Sequence, residues 1–237
     1  MTEIVAAIAA DPVRNAIRAQ SDGADMIEIR IDLLDHPSVT QRSPEMLCSL
    51  FEELRRSVGI PIIATNRMST EGGGFTGTEE ERIRILLSVL DMVDAVDIEL
   101  CAEPEFRDMV VQSVKTAKKR VIISYHDFSA TPEMVEMQKI ISDCFDAGAD
   151  VAKLAATPHS YADALRLLRL TLENRSKQVC IIGMGEYGAH TRVIAPLYGS
   201  VIAYASIGDA TAPGQFSVSE LTGMLRMLSV RGHTKQS

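Results

Sequence analysis

The chain has 237 residues, a formal net charge of −8 and 24% charged residues. An acidic chain without a basic tract binds nucleic acid poorly, because phosphate binding needs clustered lysine and arginine. We therefore expect no nucleic-acid partner. No uncharged apolar run approaches the ~18–20 residues of a membrane span, so we expect no membrane partner. With 46% hydrophobic residues, the chain can bury a sizeable core, which excludes disorder as its main state.

The four cysteines, Cys48, Cys101, Cys144 and Cys180, are far apart and form no Cys-x-x-Cys pair. This spacing contains no zinc motif, so we expect four reduced thiols and no metal. The N-terminal Met-Thr-Glu-Ile lacks the basic region of a secretory signal, and we therefore expect a cytoplasmic protein.

Short apolar, β-branched runs alternate along the chain with amphipathic stretches of helical period. The apolar runs cover residues 4–9, 26–33, 61–65, 95–100, 121–125, 150–156, 179–183 and 201–205. The amphipathic stretches cover residues 11–20, 45–58, 79–93, 104–119, 132–147, 160–174, 188–197 and 218–228. Near-continuous hydrophobicity is typical of parallel strands buried on both faces. Cap chemistry, such as Thr76 with Glu79 three residues later, predicts where the third helix begins.

Eight strand–helix repeats predict an α/β fold, a closed (β/α)8 TIM barrel. The alternative is a doubly wound open sheet, which usually has fewer strands and often a glycine-rich first turn. Here the first turn, Ala9-Ala10-Asp11-Pro12, contains no glycine. Since no linker or composition break interrupts the pattern, we expect one catalytic domain over residues 1–230. Residues 231–237 form a polar tail that we expect to be frayed.

Catalytic side chains of a barrel project from the carboxyl ends of its strands. Lys153 stands in the sixth predicted strand between apolar neighbours. Desolvation disfavours a charged lysine, and a neutral amine is the nucleophile that forms an imine with a carbonyl substrate. A structural lysine paired with a carboxylate fits the strand position equally well. His126 ends the fifth strand, where it is either a general acid/base or a histidine bonded to a loop carbonyl. Lys153 on the adjacent strand favours the catalytic role.

The second predicted strand alternates isoleucine with Glu28, Arg30 and Asp32. A period of two places all three on one face, which we expect to be the barrel lumen. There they form either an internal ion-pair ladder or part of a binding site. Asp97 and Glu99 repeat the pattern in the fourth strand, where they either orient a neighbouring imidazole or balance the arginines.

Arg30 lies in the second predicted strand, Arg67 follows the third, and Arg192 follows the glycine-rich loop after the seventh. Arginine matches a carboxylate through two parallel hydrogen bonds. Their convergence would predict a small anionic substrate, whereas separate surface ion pairs would be the structural alternative.

Seven segments in chain order resemble type I 3-dehydroquinate dehydratases, the Schiff-base enzymes of the shikimate pathway. They are Glu28-Ile-Arg30-Ile-Asp32, Arg67 with Glu71-Gly-Gly, Asp97-Ile-Glu99-Leu, Ser124-Tyr-His126-Asp-Phe, Val-Ala-Lys153-Leu-Ala, Met184-Gly-x-x-Gly ahead of Arg192, and Ala212-Pro-Gly-Gln215. The resemblance spans nearly the whole chain. It implies a (β/α)8 barrel, often a homodimer, with no metal and no cofactor, that dehydrates 3-dehydroquinate to 3-dehydroshikimate.

The resemblance also implies a role for each matching position. Lys153 would form the imine and His126 would be the general base and then the acid, while Glu71 would support the arginine and histidine side of the pocket. The substrate-binding residues would be Glu28, Arg30, Arg67, Arg192, Thr211 and Gln215. Thr191 and Thr211 stand where serine is common in the family, and both keep the hydroxyl.

Two other functions remain open. A Schiff-base aldolase can use the same barrel with lysine on strand six, but such enzymes usually bind phosphorylated sugars through glycine-rich loops. The second alternative is a barrel that only binds. The segment 68–78, with three consecutive glycines, is either a mobile lid or an ordinary loop.

Overall fold

The computed structural model describes residues 2–34, 43–208 and 214–228. Eight parallel strands form one sheet in the spatial order β7-β6-β5-β4-β3-β2-β1-β8. They are β1 (Glu3–Ile8), β2 (Met26–Arg30), β3 (Ile62–Thr65), β4 (Ala95–Glu99), β5 (Arg120–Asp127), β6 (Val151–Ala156), β7 (Val179–Gly183) and β8 (Ile202–Ser206). A parallel bridge between Val179 and Ser200 brings the two ends of the sheet together. The sheet is therefore a nearly closed barrel, which confirms the predicted TIM barrel over the open sheet.

One helix of eight or more residues follows each strand in the described part of the chain. These are α1 (Pro12–Asp22), α2 (Pro44–Ser57), α3 (Glu79–Ser88), α4 (Pro104–Thr116), α5 (Met134–Asp146), α6 (Tyr161–Glu173), α7 (Thr191–Tyr198) and α8 (Val218–Met227). Shorter helical turns lie at Ile31–Leu33, Ser69–Glu71, Leu90–Met92 and Gly185–Gly188. No helix in the described ranges is long and apolar enough to cross a membrane.

The strands bury apolar side chains on both faces, and the result is two separate cores. The outer core lies between barrel and helices and includes Ile4, Ile27 and Phe51. The inner core fills the lumen, where Val5 and Ile122 pack with their neighbours. Because side chains alternate along a strand, the lumen receives every second residue. On β2 to β6 the next lumen-facing residues include polar ones, and these form part of the site described below.

The structure corrects two details of the sequence prediction. Strand β2 ends at Arg30, so Asp32 lies in a short 3-10 turn instead of on the lumen face of the strand. The turn is held because the Asp32 carboxylate accepts backbone N–H groups of Arg67 at 3.0 Å and Gly74 at 3.1 Å.

The second correction concerns the start of α3. The expected cap of Thr76 with Glu79 is wrong. Thr78 caps the helix instead, since its side chain accepts from the Glu81 backbone while the Glu81 carboxylate accepts from the Thr78 backbone. This reciprocal pair satisfies two helix-terminal N–H groups at once.

Candidate active site

A pocket that is open to solvent at its mouth lies at the carboxyl ends of the strands. Its apolar wall includes Ala7, Ala155, Ile182 and Met184. Its polar wall includes seven of the eight residues that the resemblance implies as catalytic or substrate-binding: Glu28, Arg30, Arg67, His126, Lys153, Arg192 and Gln215. The eighth, Thr211, lies outside the described residues.

Lys153 is 4% exposed in the lumen. Its Nζ atom lies 2.9 Å from Oδ2 of Asp97 and 3.6 Å from Oε1 of Glu28. Nζ also lies over the aromatic ring of Tyr204, 4.2 Å from the ring centroid. The buried amine therefore stands among two carboxylates and an aromatic face, so it is both paired and in the pocket wall. The two sequence interpretations of this lysine are compatible.

His126 is held at the end of β5 by Glu71, which lies in the turn after β3. Oε2 of Glu71 lies 2.8 Å from Nδ1 of the imidazole and accepts the His126 backbone N–H at 3.0 Å. Burial, together with the nearby positive charges of Arg67 and Lys153, holds the pKa of His126 well below its usual value. The imidazole is therefore neutral at neutral pH, which is the form a general base requires.

Glu71 is itself buried, and its second oxygen contacts Cys101. The Cys101 thiol donates to Oε1 of Glu71 at 2.6 Å. Burial raises the pKa of Glu71 to about 7, although the Cys101 hydrogen bond and Arg67 lower it. Burial and the adjoining Glu71 raise the pKa of Cys101 to about 12, so the sulfur keeps its proton and is the donor.

Arg67 lies on the floor of the pocket inside a buried charge network. Its guanidinium contacts Oδ1 of Asp97 at 2.9 Å and Oε1 of Glu99 at 2.8 Å. It also donates to Ser124 Oγ at 2.6 Å, and that hydroxyl donates to Asp97 at 2.6 Å. Although burial opposes ionisation, Arg67 and Lys153 hold the pKa of Asp97 below its usual range.

Glu99 completes this network from the helix side. Its second oxygen accepts from Arg82 of α3 at 2.8 Å, and Arg82 is 1% exposed. Asp97 and Glu99 thus balance cations, while Glu71 orients the imidazole. This geometry decides between the two interpretations that the sequence left open for the strand-four carboxylates.

Arg30 at the end of β2 and Arg192 in the first turn of α7 both line the pocket. Arg30 is fixed by Asp32, which accepts its Nε at 3.0 Å and its second guanidinium nitrogen at 2.7 Å. Arg192 is 4% exposed, and burial lowers its pKa to about 10. Burying a guanidinium away from water is costly, and a substrate carboxylate at the pocket would offset that cost.

The local backbone explains how Arg192 is aimed. A Cβ atom at Gly188 would lie 2.4 Å from the carbonyl carbon of Gly183, so only glycine permits this close approach. The Thr191 hydroxyl accepts from the Gly183 backbone at 3.0 Å and donates to the Gly188 carbonyl at 2.7 Å. The hydroxyl shared by serine and threonine is thus the feature that matters here, and it places the first turn of α7 against β7.

Four side chains of the site were missed by sequence reasoning. Tyr204 and Phe128 line the pocket, while Cys101 and Arg82 support residues that line it. The sequence could have indicated Tyr204, because a tyrosine between alanines in a buried strand must place its hydroxyl in the lumen or the helix layer. It could have indicated Arg82 as well, since Arg82 shares a helix face with the apolar Ile85, Leu86 and Val89, whereas the exposed Arg84 lies on the opposite face.

The sequence model of the family "Type I 3-dehydroquinase" matches residues 2–231. A 3-dehydroquinate dehydratase of Methanothrix thermoacetophila is 46% identical over 228 residues, covering 96% of this chain and 92% of the relative. The enzyme of the same name from Methanococcoides burtonii is 44% identical over 225 residues, covering 95% and 94%.

Solved structures give the same result. The 3-dehydroquinate dehydratase of Geobacillus kaustophilus superposes with a TM-score of 0.90 at 27% identity, covering 98% of this chain and 93% of that chain. The type I enzyme of Clostridium difficile, solved with covalently modified comenic acid, gives a TM-score of 0.87 at 27% identity, covering 96% and 92%. A 3-hexulose-6-phosphate synthase covers 94% of this chain and 99% of its own at a TM-score of 0.56 and 14% identity, and it shares the fold alone.

Fold and pocket define a (β/α)8-barrel enzyme whose site lies at the carboxyl ends of the strands. Both the family model and relatives above 40% identity cover almost all of the chain. The chain belongs to the type I 3-dehydroquinate dehydratase family and is a hydro-lyase of the shikimate pathway.

Proposed function

We propose that the enzyme dehydrates 3-dehydroquinate through an imine between the substrate ketone and Lys153, with His126 moving the protons. The observation that carries the proposal is the placement of both groups in one pocket wall, with the imidazole neutral and the lysine buried. A covalent adduct in the related Clostridium difficile structure gives further support for nucleophilic chemistry in this type of pocket.

The role of Lys153 follows from the weak acidity of the proton to be removed, which lies α to a ketone. The neutral amine attacks the ketone carbon and a C–N bond forms; the carbonyl oxygen takes one proton from the amine and one from solvent at the open pocket, and leaves as water. The protonated imine that results is a stronger electron sink than the ketone. Its positive charge lies on Nζ, where Asp97 and Glu28 are within 3.6 Å.

The role of His126 follows from its geometry. With Nδ1 facing Glu71, the imidazole presents Nε2 as a free base toward the pocket. Nε2 takes the α proton, and the C–H electron pair forms an enamine. The enamine then expels the β-hydroxyl, which takes the proton from the His126 imidazolium and leaves as water. Hydrolysis of the remaining imine releases 3-dehydroshikimate and restores the Lys153 amine.

Substrate orientation is the task of the surrounding polar groups. Arg192 and Arg30 supply guanidinium groups for the substrate carboxylate, and Arg67 contributes a fixed positive charge. Glu28, Gln215 and Thr211 bind the hydroxyls. Holding the substrate with one face toward His126 removes much of the entropic cost of the reaction.

Borohydride trapping tests this proposal. The enzyme is incubated with 3-dehydroquinate, reduced, and analysed by intact and peptide mass. We expect one adduct, located on the peptide that contains Lys153. Lys153→Ala is the matched control, and it should remain folded by circular dichroism with neither adduct nor turnover. A folded wild-type enzyme that turns over without any adduct would contradict the imine.

His126→Ala separates imine formation from proton transfer. Because Lys153 is intact in this variant, the adduct should still form. The rate of product formation should fall by a factor of about 10²–10⁴, which is the usual contribution of a general acid/base. Rapid product formation by His126→Ala would exclude this residue as the base.

Two further features of the resemblance stay predictions. Light scattering would give a homodimer a particle mass of about twice 25.9 kDa, and a monomer the mass of a single chain. A cytoplasmic location would be checked by fractionating the cells that produce the protein.

A further inference from the structure

We propose that the ring of Tyr204 is a further catalytic group, because its face stabilises the positive charge that Nζ of Lys153 carries in the protonated imine. This inference rests on the imine chemistry proposed above. Tyr204 is 4% exposed on β8, which is separated from Lys153 on β6 only by β7. The Nζ atom lies over the ring, 4.2 Å from its centroid.

The contact has the geometry of a strong cation–π interaction. An aromatic face attracts a cation within ~6 Å of its centroid, and the attraction grows when both groups are shielded from water. Lys153 is 4% exposed, so both partners are desolvated here. The two carboxylates near Nζ, from Asp97 and Glu28, belong to β4 and β2. The ring thus approaches the cation from a third strand, β8.

The ring differs from the carboxylates in what it does to the proton. A carboxylate accepts a hydrogen bond and competes with the lysine for its proton, whereas the aromatic face has no lone pair in that position. Attack on the ketone needs the neutral amine, and the imine that follows returns the charge to the same nitrogen. Tyr204 can therefore stabilise the charged imine without becoming a partner in proton transfer.

The hydroxyl of Tyr204 makes a separate and weaker contact. It donates to Oε1 of Glu28 at 3.4 Å, near the limit for a hydrogen bond, while Thr65 donates to the same oxygen at 2.7 Å. Burial and the nearby carboxylates of Glu28 and Asp97 raise the pKa of Tyr204 well above its usual value, so the phenol stays neutral. The ring face, and not the hydroxyl, is then the feature that the reaction uses.

A series of isosteric replacements tests this directly. Tyr204→Phe removes the hydroxyl and keeps the ring face. Replacing Tyr204 by 4-fluoro-, 3,4-difluoro- and 3,4,5-trifluorophenylalanine then withdraws charge from the face in steps, with little change in shape. The rate and extent of imine formation with 3-dehydroquinate are measured by borohydride quench and intact mass. Circular dichroism and thermal midpoints establish that each variant is folded.

We expect Tyr204→Phe to form the imine within about twofold of the wild type. Each added fluorine should lower imine formation further, to a total loss of about 10- to 30-fold, the range of a desolvated cation–π contact. A flat series, with equal imine formation in all folded variants, would overturn the role of the ring. A wild-type enzyme that forms no adduct would instead refute the imine proposal itself, so the two failures are distinguishable.

Discussion

Nδ1 of His126 lies 2.8 Å from Oε2 of Glu71, and the backbone N–H of His126 donates to the same oxygen at 3.0 Å. The carboxylate therefore fixes both the rotation of the imidazole and the tautomer with its proton on Nδ1. Only this tautomer leaves Nε2 free to accept a proton from the substrate. The ionisation of Glu71 thus controls whether His126 is ready to act.

The first prediction concerns the pH dependence of this pair. Because burial raises the pKa of Glu71 to about 7, the carboxylate form is lost as the pH falls through about 7. His126 contributes no such limb, since its pKa is held well below its usual value and it stays neutral there. We expect kcat/KM, which reports ionisations of the free enzyme, to rise with pH through about 7, as measured by steady-state rates between pH 5 and 9.

Glu71→Gln is the matched variant. The amide cannot ionise, so the limb near pH 7 should disappear, and kcat should fall about 10- to 100-fold because the amide orients the imidazole less firmly. Borohydride trapping on Lys153 should remain. A Glu71→Gln enzyme with the same acid limb as the wild type would show that another group titrates there.

The second prediction concerns Cys101, whose thiol donates to the other oxygen of Glu71 at 2.6 Å. This hydrogen bond lowers the pKa of Glu71, so removing it in Cys101→Ala should move the acid limb of kcat/KM upward by about one pH unit. At pH 7 the rate should fall about fivefold. Cys101→Ser retains a donor and should restore the profile. Identical profiles for the alanine and serine variants would exclude the thiol as a positioning group.

The lumen side of the site could be predicted because strands have a period of two. Glu28 and Arg30 interrupt isoleucines at every second position, and both line the pocket. Lys153 and His126 were found by the same logic, since charge or imidazole in an apolar barrel strand needs a reason. The eightfold alternation predicted the barrel for a similar reason, since every repeat buries its strand on both faces.

The supporting contacts could not be predicted because they join segments distant in sequence through loops. Asp32 leaves the strand pattern after Arg30, and its carboxylate instead organises the loop at Arg67 and Gly74. The pairing of Cys101 with Glu71 depends on where two loops meet, and no local period encodes it.

The third prediction concerns stability. Arg82 on α3 is buried and contacts Oε2 of Glu99 at 2.8 Å. Arg82→Met would leave that carboxylate with one cation fewer inside the barrel, and removing one partner of a buried pair costs about 3–5 kcal/mol. We expect a loss of this size in the free energy of unfolding, measured by urea titration at pH 7.

Arg84→Met on the same helix is the control, because Arg84 is exposed. It should change the free energy of unfolding by less than about 0.5 kcal/mol. Equal losses of unfolding free energy in the two variants would mean that the buried contact with Glu99 does not stabilise the fold.

The fourth prediction concerns Arg192, which is 4% exposed in the pocket wall and whose pKa is lowered to about 10 by burial. A guanidinium forms two parallel charged hydrogen bonds with a carboxylate, so Arg192→Ala should raise KM about 100-fold with a smaller change in kcat. Arg192→Lys should recover part of that loss, because an ammonium keeps the charge but not the paired geometry. The exposed Arg226 of α8 offers a control on the surface, and Arg226→Ala should leave KM unchanged. If Arg192→Ala binds substrate as the wild type does, the carboxylate is held elsewhere, and Arg30 would then be the next residue to replace.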